Sequence, residues 1–101
     1  MANMSMTKNP MPTQEPLVRA RNFDEVATGY TEEQVKDEAA RCLQCKNPRC
    51  REGCPVSLNI PAFIRAAGEG DFDEAYRIIS IDSSLPAVCG RVCPQENQCE
   101  K

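Results

Sequence analysis

Seven cysteines, gathered in two short stretches, carry most of the chemistry that this 101-residue sequence offers. The first stretch holds Cys42, Cys45, Cys50 and Cys54, and Pro55 follows directly, so that the spacing is C-x2-C-x4-C-x3-C-P. A [4Fe–4S] cluster is held by four cysteine thiolates, each on a different iron. Thiolates only a few residues apart can reach neighbouring irons if the loop between them is tight. The first stretch therefore predicts iron–sulfur ligation.

The second stretch holds Cys89, Cys93 and Cys99, and a proline follows Cys93. In two-cluster ferredoxins the fourth cysteine of such a run, the one before proline, ligates the other cluster. By the same geometry we assign Cys54 to a different cluster from the three cysteines before it. Proline fixes φ and keeps the chain from folding back over its own cluster. The weakest ligand candidate is Cys89, because small thiols are common core residues. Because Cys54 is assigned away from the three cysteines before it, we expect two clusters.

Two other uses of these cysteines stay open. A structural zinc site normally divides its ligands into two pairs across a longer loop, so four thiols in close succession favour a cluster over zinc. An odd number of cysteines fits a closed set of disulfides poorly. The sequence has no His, which excludes imidazole zinc sites and Ser–His or Cys–His hydrolases.

The composition limits which binding partners and which cellular compartment we expect. A net charge of −3 from 12 basic and 15 acidic residues gives no reason to expect nucleic-acid binding. No apolar run approaches the ~18 residues of a membrane span, and the N-terminus lacks the apolar core of a signal peptide. We therefore expect a cytoplasmic protein, in which thiols stay reduced and cysteine patterns more often mean metal. With few aromatic residues the core is thin, and metal commonly helps to hold such small domains.

Positive charge surrounds the cysteines. Arg41, Lys46, Arg49 and Arg51 flank the first stretch, and Arg91 lies inside the second. Cations at these positions would offset the negative charge of cluster thiolates and raise the reduction potential. An ordinary solvated surface would show the same pattern, and the sequence leaves both interpretations open.

Helices must position these thiols, because no alternating strand pattern of useful length occurs. We predict a disordered leader over residues 1–18, broken by prolines, and one all-α domain over residues 19–101. Phe23, Val26 and Ala27 suggest a short helical turn ending near Gly29. Capping residues and apolar stripes predict three longer helices, and the cysteine-rich segments between and after them are predicted to be two loops. The helices are predicted at about 31–43, 60–68 and 71–82, and the loops at 44–56 and 88–101, the second within a cysteine-rich stretch of residues 85–101.

Seven longer motifs resemble the N-terminal iron–sulfur domain of the glutamate synthase small subunit. Similar domains occur in dihydropyrimidine dehydrogenase and in electron-bifurcating NAD(P)H oxidoreductases. The resemblance covers about residues 19–101 in order. The motifs are Asn22–Val26, Gly29–Thr31, Glu38–Cys45, Gly53–Val56, Ile60–Ile64, Leu85–Glu96 and Gln98–Glu100.

This resemblance implies an α-helical ferredoxin-type fold with two [4Fe–4S] clusters. In relatives such as dihydropyrimidine dehydrogenase, the cysteine at the position of Cys89 is not a ligand. The family carries a further cysteine four residues after the position of Cys99, so we expect a domain truncated at its C-terminal end. Each cluster would then have three of its four ligands here. The implied ligand sets are Cys42, Cys45 and Cys50 for one cluster, and Cys54, Cys93 and Cys99 for the other.

The resemblance also implies a role and partners. FAD and NAD(P)H would bind downstream domains of the same parent chain, and the clusters would carry single electrons between the flavin and a larger partner subunit. We expect no catalytic residue in this chain. Two alternatives are a free-standing ferredoxin-like carrier or subunit-docking module, and a structural zinc module.

Overall fold

The structure, a computed structural model, describes residues 3–101 and consists of helices joined by irregular segments. Within this range no strand occurs, and the extended pairing amounts to one isolated bridge between Thr13 and Ala27. The predicted all-α class is therefore confirmed. In chain order the elements are α1 (Pro16–Arg19), α2 (Glu32–Ala39), α3 (Arg49–Gly53), α4 (Ile60–Gly68), α5 (Phe72–Asp82), α6 (Pro86–Val92) and a 3-10 turn (Gln95–Asn97).

Helix α2 begins with the predicted capping box. The Thr31 hydroxyl accepts the backbone N–H of Gln34 at 3.2 Å, and the Gln34 side chain accepts the N–H of Thr31 at 2.8 Å. The helix ends at Ala39, earlier than the predicted end near residue 43. The N–H groups of Arg41 and Cys42 donate to carbonyl groups three residues earlier in the chain. These hydrogen bonds tighten the last turn, and the regular helix ends shortly before Cys42.

The other two predicted helices are confirmed as α4 and α5. Asp71 caps α5, since its Oδ1 accepts the backbone N–H of Glu74 at 3.1 Å. Pro61 lies in the first turn of α4, where its missing N–H costs little. The side chain of Asn59 precedes α4 without making a cap hydrogen bond. Both helices therefore follow from local signals in the sequence.

The core is small and consists of α4 packed between α2 and α5. Its most buried side chains are Ala66 of α4 and Ala75 of α5. A Cβ added at Gly68 would lie 3.2 Å from the Cβ of Ala39, so α4 and α2 approach closely where small residues meet. No large apolar side chain between residues 3 and 101 is completely buried, which agrees with the thin core expected from composition.

Parts of both cysteine stretches are helical, so the prediction of two loops is only partly right. Helix α3 spans Arg49–Gly53 inside the first predicted loop, and α6 spans Pro86–Val92 and overlaps the start of the second. Both helices are short, and glycines lie within them, so apolar periodicity gives little sign of them. Pro86 supplies a start signal for α6, because proline suits the first helical turn.

The helical turn predicted over residues 23–27 is wrong. This segment is not helical, and its end runs extended beside the N-terminal segment. The Val26 carbonyl accepts the N–H of Gln14 at 2.9 Å, and the N–H of Thr28 donates to the Pro12 carbonyl at 2.7 Å. These cross-chain hydrogen bonds decide the conformation there, and the three apolar residues at helical spacing do not.

The N-terminal segment of residues 3–14 lies along α2, and the disorder expected for the leader stays a prediction. The backbone N–H of Asn3 donates to the Ala40 carbonyl at 2.8 Å, and the N–H of Asn9 donates to Glu38 Oε2 at 2.8 Å. Arg41 Nε donates to the Ser5 carbonyl at 3.1 Å. Prolines exclude a long helix here but leave extended backbone free to pair with polar groups of α2. The domain boundary at residue 19 stays a prediction.

Across the part of the chain that the structure describes, no helix is long and apolar enough to cross a membrane.

Candidate metal centre

A left-handed turn shapes the start of the first cysteine stretch. Gln44, between Cys42 and Cys45, has φ of 52°, a conformation that is uncommon for a residue with a side chain. Its side-chain amide donates to the Pro61 carbonyl at 3.0 Å and lies 3.4 Å from the sulfur of Cys42. The turn therefore wraps the backbone between the first two thiols and is tied to the first turn of α4.

Helix α3 positions the other two thiols of this stretch. Cys50 is its second residue, and Cys54 follows its last residue with extended dihedral angles. The chain therefore changes direction at Cys54, where the helix ends. All seven cysteines of the chain are free thiols, which is the form needed for metal ligation.

Close contact at Gly53 joins the end of α3 to the second cysteine stretch. A Cβ added at Gly53 would lie 2.5 Å from the carbonyl oxygen of Gln98, 2.9 Å from its carbonyl carbon and 3.3 Å from the Cα of Cys99. Only glycine allows two backbones to approach this closely. The contact brings Cys54 beside Cys99, although these residues are far apart in sequence.

Cys93 belongs to the same neighbourhood. Its thiol donates to the side-chain oxygen of Gln98 at 3.3 Å. Burial raises the pKa of the Cys99 thiol, and the negative charges of Glu100, Cys93 and Cys54 raise it further. Because such charge effects fall off with distance, Cys54 and Cys93 lie on the same side of the domain as Cys99, in agreement with the Gly53 contact. This is the set that the family resemblance implies for one cluster, and its role as a ligand set stays a prediction.

Cys89 lies elsewhere on α6. It is exposed, and its sulfur lies 3.9 Å from the hydroxyl oxygen of Ser83. This exposed position does not agree with the core role on which its low rank was based, so its exclusion from the ligands stays a prediction.

The donor set fits an iron–sulfur cluster. Throughout residues 3–101, no three His, Cys, Asp or Glu side chains are arranged to hold one metal ion. The seven free thiols are the donor type that a [4Fe–4S] cluster uses.

Two of the five cations near the cysteines are in ion pairs. Arg91 donates through Nε and Nη2 to the two carboxylate oxygens of Glu25 at 2.5 and 3.1 Å, and the pairing holds the pKa of Glu25 below its ordinary value. Arg41 pairs with Glu38. Sequence reasoning missed the Glu25 pair and the Gly53 contact. The quoted motifs contain both Glu25 and Gly53, but nothing local in them reveals their partners.

These features define a small helical domain with free thiols, the donor type that iron–sulfur clusters use. Over residues 19–101 the sequence matches the family described as dihydropyrimidine dehydrogenase domain II, 4Fe-4S cluster. The chain belongs to this family and is a [4Fe–4S]-binding domain.

Several curated proteins are similar to this chain. It is 38% identical to the glutamate synthase [NADPH] small chain of Azospirillum brasilense, with 99% of this chain and 22% of that protein covered. It is 43% identical to the Escherichia coli K12 protein of the same name, covering 88% of this chain and 19% of that one. It is 37% identical to the NAD-dependent dihydropyrimidine dehydrogenase subunit PreT homolog of Salmonella typhi, covering 78% and 19%. The chain therefore spans about a fifth of the length of these relatives.

Proposed function

We propose that this chain is an electron-transfer domain that holds two [4Fe–4S] clusters in an NAD(P)H- and FAD-dependent oxidoreductase of the glutamate synthase small-chain type. The observation that carries the proposal is the Gly53 contact, which sets Cys54 beside Cys99. Because Cys54 turns toward the second stretch, the three earlier thiols are left as a separate set. Two sets of thiols support two clusters.

The proposed ligands follow this division. Cys42, Cys45 and Cys50 serve the first cluster, Cys54, Cys93 and Cys99 serve the second, and Cys89 serves neither. The fourth ligand of each cluster comes from another part of the parent protein. We include an α-helical ferredoxin-type fold in the proposal, with the cysteines carried on the two segments that only partly form helices.

The chain's own residues orient the ligands. When bound, each cluster takes up or releases one electron at a time. Gln44 holds the first turn against α4, and Gly53 sets the approach of the two backbones at the second site. Arg41 and Arg91 keep positive charge near the thiolates while paired to carboxylates. None of these residues makes or breaks a substrate bond in the proposed role.

The remaining parts of the proposal concern the parent protein. FAD and NAD(P)H bind domains outside this chain, and a larger partner subunit receives the electrons. The length of the relatives supports further domains, since each is about five times as long as the matched segment. Seven free thiols support a reducing, cytoplasmic location.

Anaerobic reduction of the parent protein tests this role. Addition of NADPH or NADH to the full protein should reduce the clusters and produce the electron paramagnetic resonance signals of [4Fe–4S]⁺. Replacement of Cys45 and Cys99, each by Ala and separately, should remove different signals. Clusters that dithionite reduces but neither nucleotide reduces would contradict the proposed place in an NAD(P)H-dependent electron path.

A further inference from the structure

One thiol of the proposed ligand sets reaches the surface. Within the described chain Cys45 is exposed, whereas the other five proposed ligands are half-buried. Leu43, two residues earlier, is 65% exposed. Electrons pass between proteins only when their redox centres come close, so the cluster edge nearest to solvent is the favourable point of contact. If Cys45 ligates the first cluster, that edge lies here.

Unpaired positive charge borders this exposed edge. The side chains of Lys46, Arg49 and Arg51 are exposed, and none of them forms an ion pair with any of residues 3–101. The nearby acid in the sequence is Glu52. By contrast, the whole chain carries a net charge of −3. The positive charge is therefore concentrated beside Cys45 and does not reflect a generally basic protein.

The backbone holds part of this positive border in position. Arg51 Nε donates to the Ser57 carbonyl at 3.1 Å, and Ser57 itself has φ of 52°. An open depression of about 340 Å³ is lined by Asn47, Pro48, Arg51, Glu52 and Ser57. The guanidinium is thus anchored on one side, while Lys46 and Arg49 remain free to meet a partner.

We propose that the Cys45 surface, which comprises Leu43, Cys45, Lys46, Arg49 and Arg51, is the docking site for an acidic electron-transfer protein. This inference rests on the proposed function, since it requires a cluster on Cys45. An apolar contact with a charged border is typical of protein interfaces, and charge complementarity raises the rate of productive encounter. A reduced cluster held by Cys45 would supply one electron in each encounter, and an oxidised redox centre of the partner would accept it.

Small oxidants of opposite charge test the surface without knowledge of the partner. The parent protein is reduced with dithionite, freed of excess reductant and mixed by stopped flow with ferricyanide or with hexaamminecobalt(III). The bleached visible absorption of the clusters is followed as it recovers. At low ionic strength the wild type should react faster with ferricyanide, which is anionic, than with hexaamminecobalt(III), which is cationic. The ratio of the two rates should fall as the salt concentration rises.

Charge reversal should remove this advantage. We expect Lys46→Glu/Arg49→Glu to lower the ratio of the ferricyanide rate to the cobalt rate about tenfold at low salt, within the range of electrostatic steering. Arg77→Glu makes the same kind of change on α5, which carries no cysteine, and should leave the ratio close to that of the wild type. An unchanged ratio in the double variant, or an equal fall in Arg77→Glu, would overturn the inference.

The iron content and the resonance signals of each variant are measured first. Protein that holds no cluster in its wild-type form would refute the proposed function itself. Protein that holds its clusters but shows no preference for ferricyanide would refute only the docking surface, and it would indicate that another domain of the parent chain covers Cys45.

Discussion

Substitution of Gly53 by alanine should disrupt the second cluster selectively. The added Cβ would lie 2.5 Å from the Gln98 carbonyl oxygen and 3.3 Å from the Cα of Cys99. Both neighbours are backbone atoms, so no flexible side chain can move aside. The chain must therefore separate α3 from the segment that carries Cys99.

The size of the backbone shift that Gly53→Ala would require determines how much stability and iron the variant should lose. The new Cβ would be about 1 Å inside the ~3.5 Å at which heavy atoms make favourable contact. Overpacking of this kind costs about 1–3 kcal/mol of stability. Metal ligands tolerate errors of only about 0.2 Å, so a shift approaching 1 Å at Cys99 should release its iron while the fold survives.

Iron and sulfide content, together with paramagnetic resonance of the reduced protein, would show this loss. We expect Gly53→Ala to keep the signal of the cluster on Cys42, Cys45 and Cys50 and to lose the other. Gly90→Ala is the matched control, because its Cβ would meet nothing within 4 Å. Gly90 lies within α6, where alanine is favoured over glycine by roughly 0.5–1 kcal/mol, so the control should be slightly more stable than the wild type. Both signals at full strength in Gly53→Ala would refute the close approach of Cys54 and Cys99.

Three further predictions follow from the site and its supports. Cys45→Ala should abolish one cluster and about half of the iron, whereas Cys89→Ala should leave the iron content nearly unchanged; equal losses would show that the ranking is wrong. Burial alone would raise the pKa of Glu38, but hydrogen bonds from Asn9 and Arg41 hold it below its ordinary value. Because the folded-state pKa is the lower one, this stabilisation is present above the unfolded value of about 4.3 and is lost as pH falls through the folded value. The protection factor of the Asn9 amide, which corrects for the intrinsic pH dependence of exchange, should therefore fall in metal-free protein as pH drops through the folded-state pKa of Glu38. Glu38→Gln should remove this fall, and a variant that keeps the wild-type pH profile would contradict the assignment. In the metal-free chain, amide exchange should be slow in α4 and α5 and fast over residues 42–54 and 89–99, since unligated thiols leave those segments without their metal contacts; equal protection throughout would mean that the protein alone sets their shape.

Local chemistry made part of the fold predictable. The capping box at Thr31 and the cap at Asp71 act within four residues, so the sequence reveals where α2 and α5 begin. The end of α2 was predicted too late, because the turn that follows it depends on hydrogen bonds at Arg41 and Cys42. The short helices α3 and α6 escaped prediction for lack of an apolar period.

Long-range contacts account for the features that sequence reasoning missed. Glu25 and Arg91 are 66 residues apart, and no spacing rule connects them. Nothing in the proline-rich N-terminal segment indicated that Asn3 and Asn9 pair with polar groups of α2. Cysteine spacing predicted a division of the thiols between two clusters, but the contact through Gly53 is visible only in three dimensions.

The division of the thiols into two sets is the central claim, and the number of clusters tests it most directly. Iron and acid-labile sulfide should be measured per polypeptide in the parent protein, purified without oxygen. Two clusters predict about eight irons and about eight sulfides, and Cys54→Ala should reduce both to about four. A content of about four irons in the wild type, or zinc without sulfide, would contradict the account.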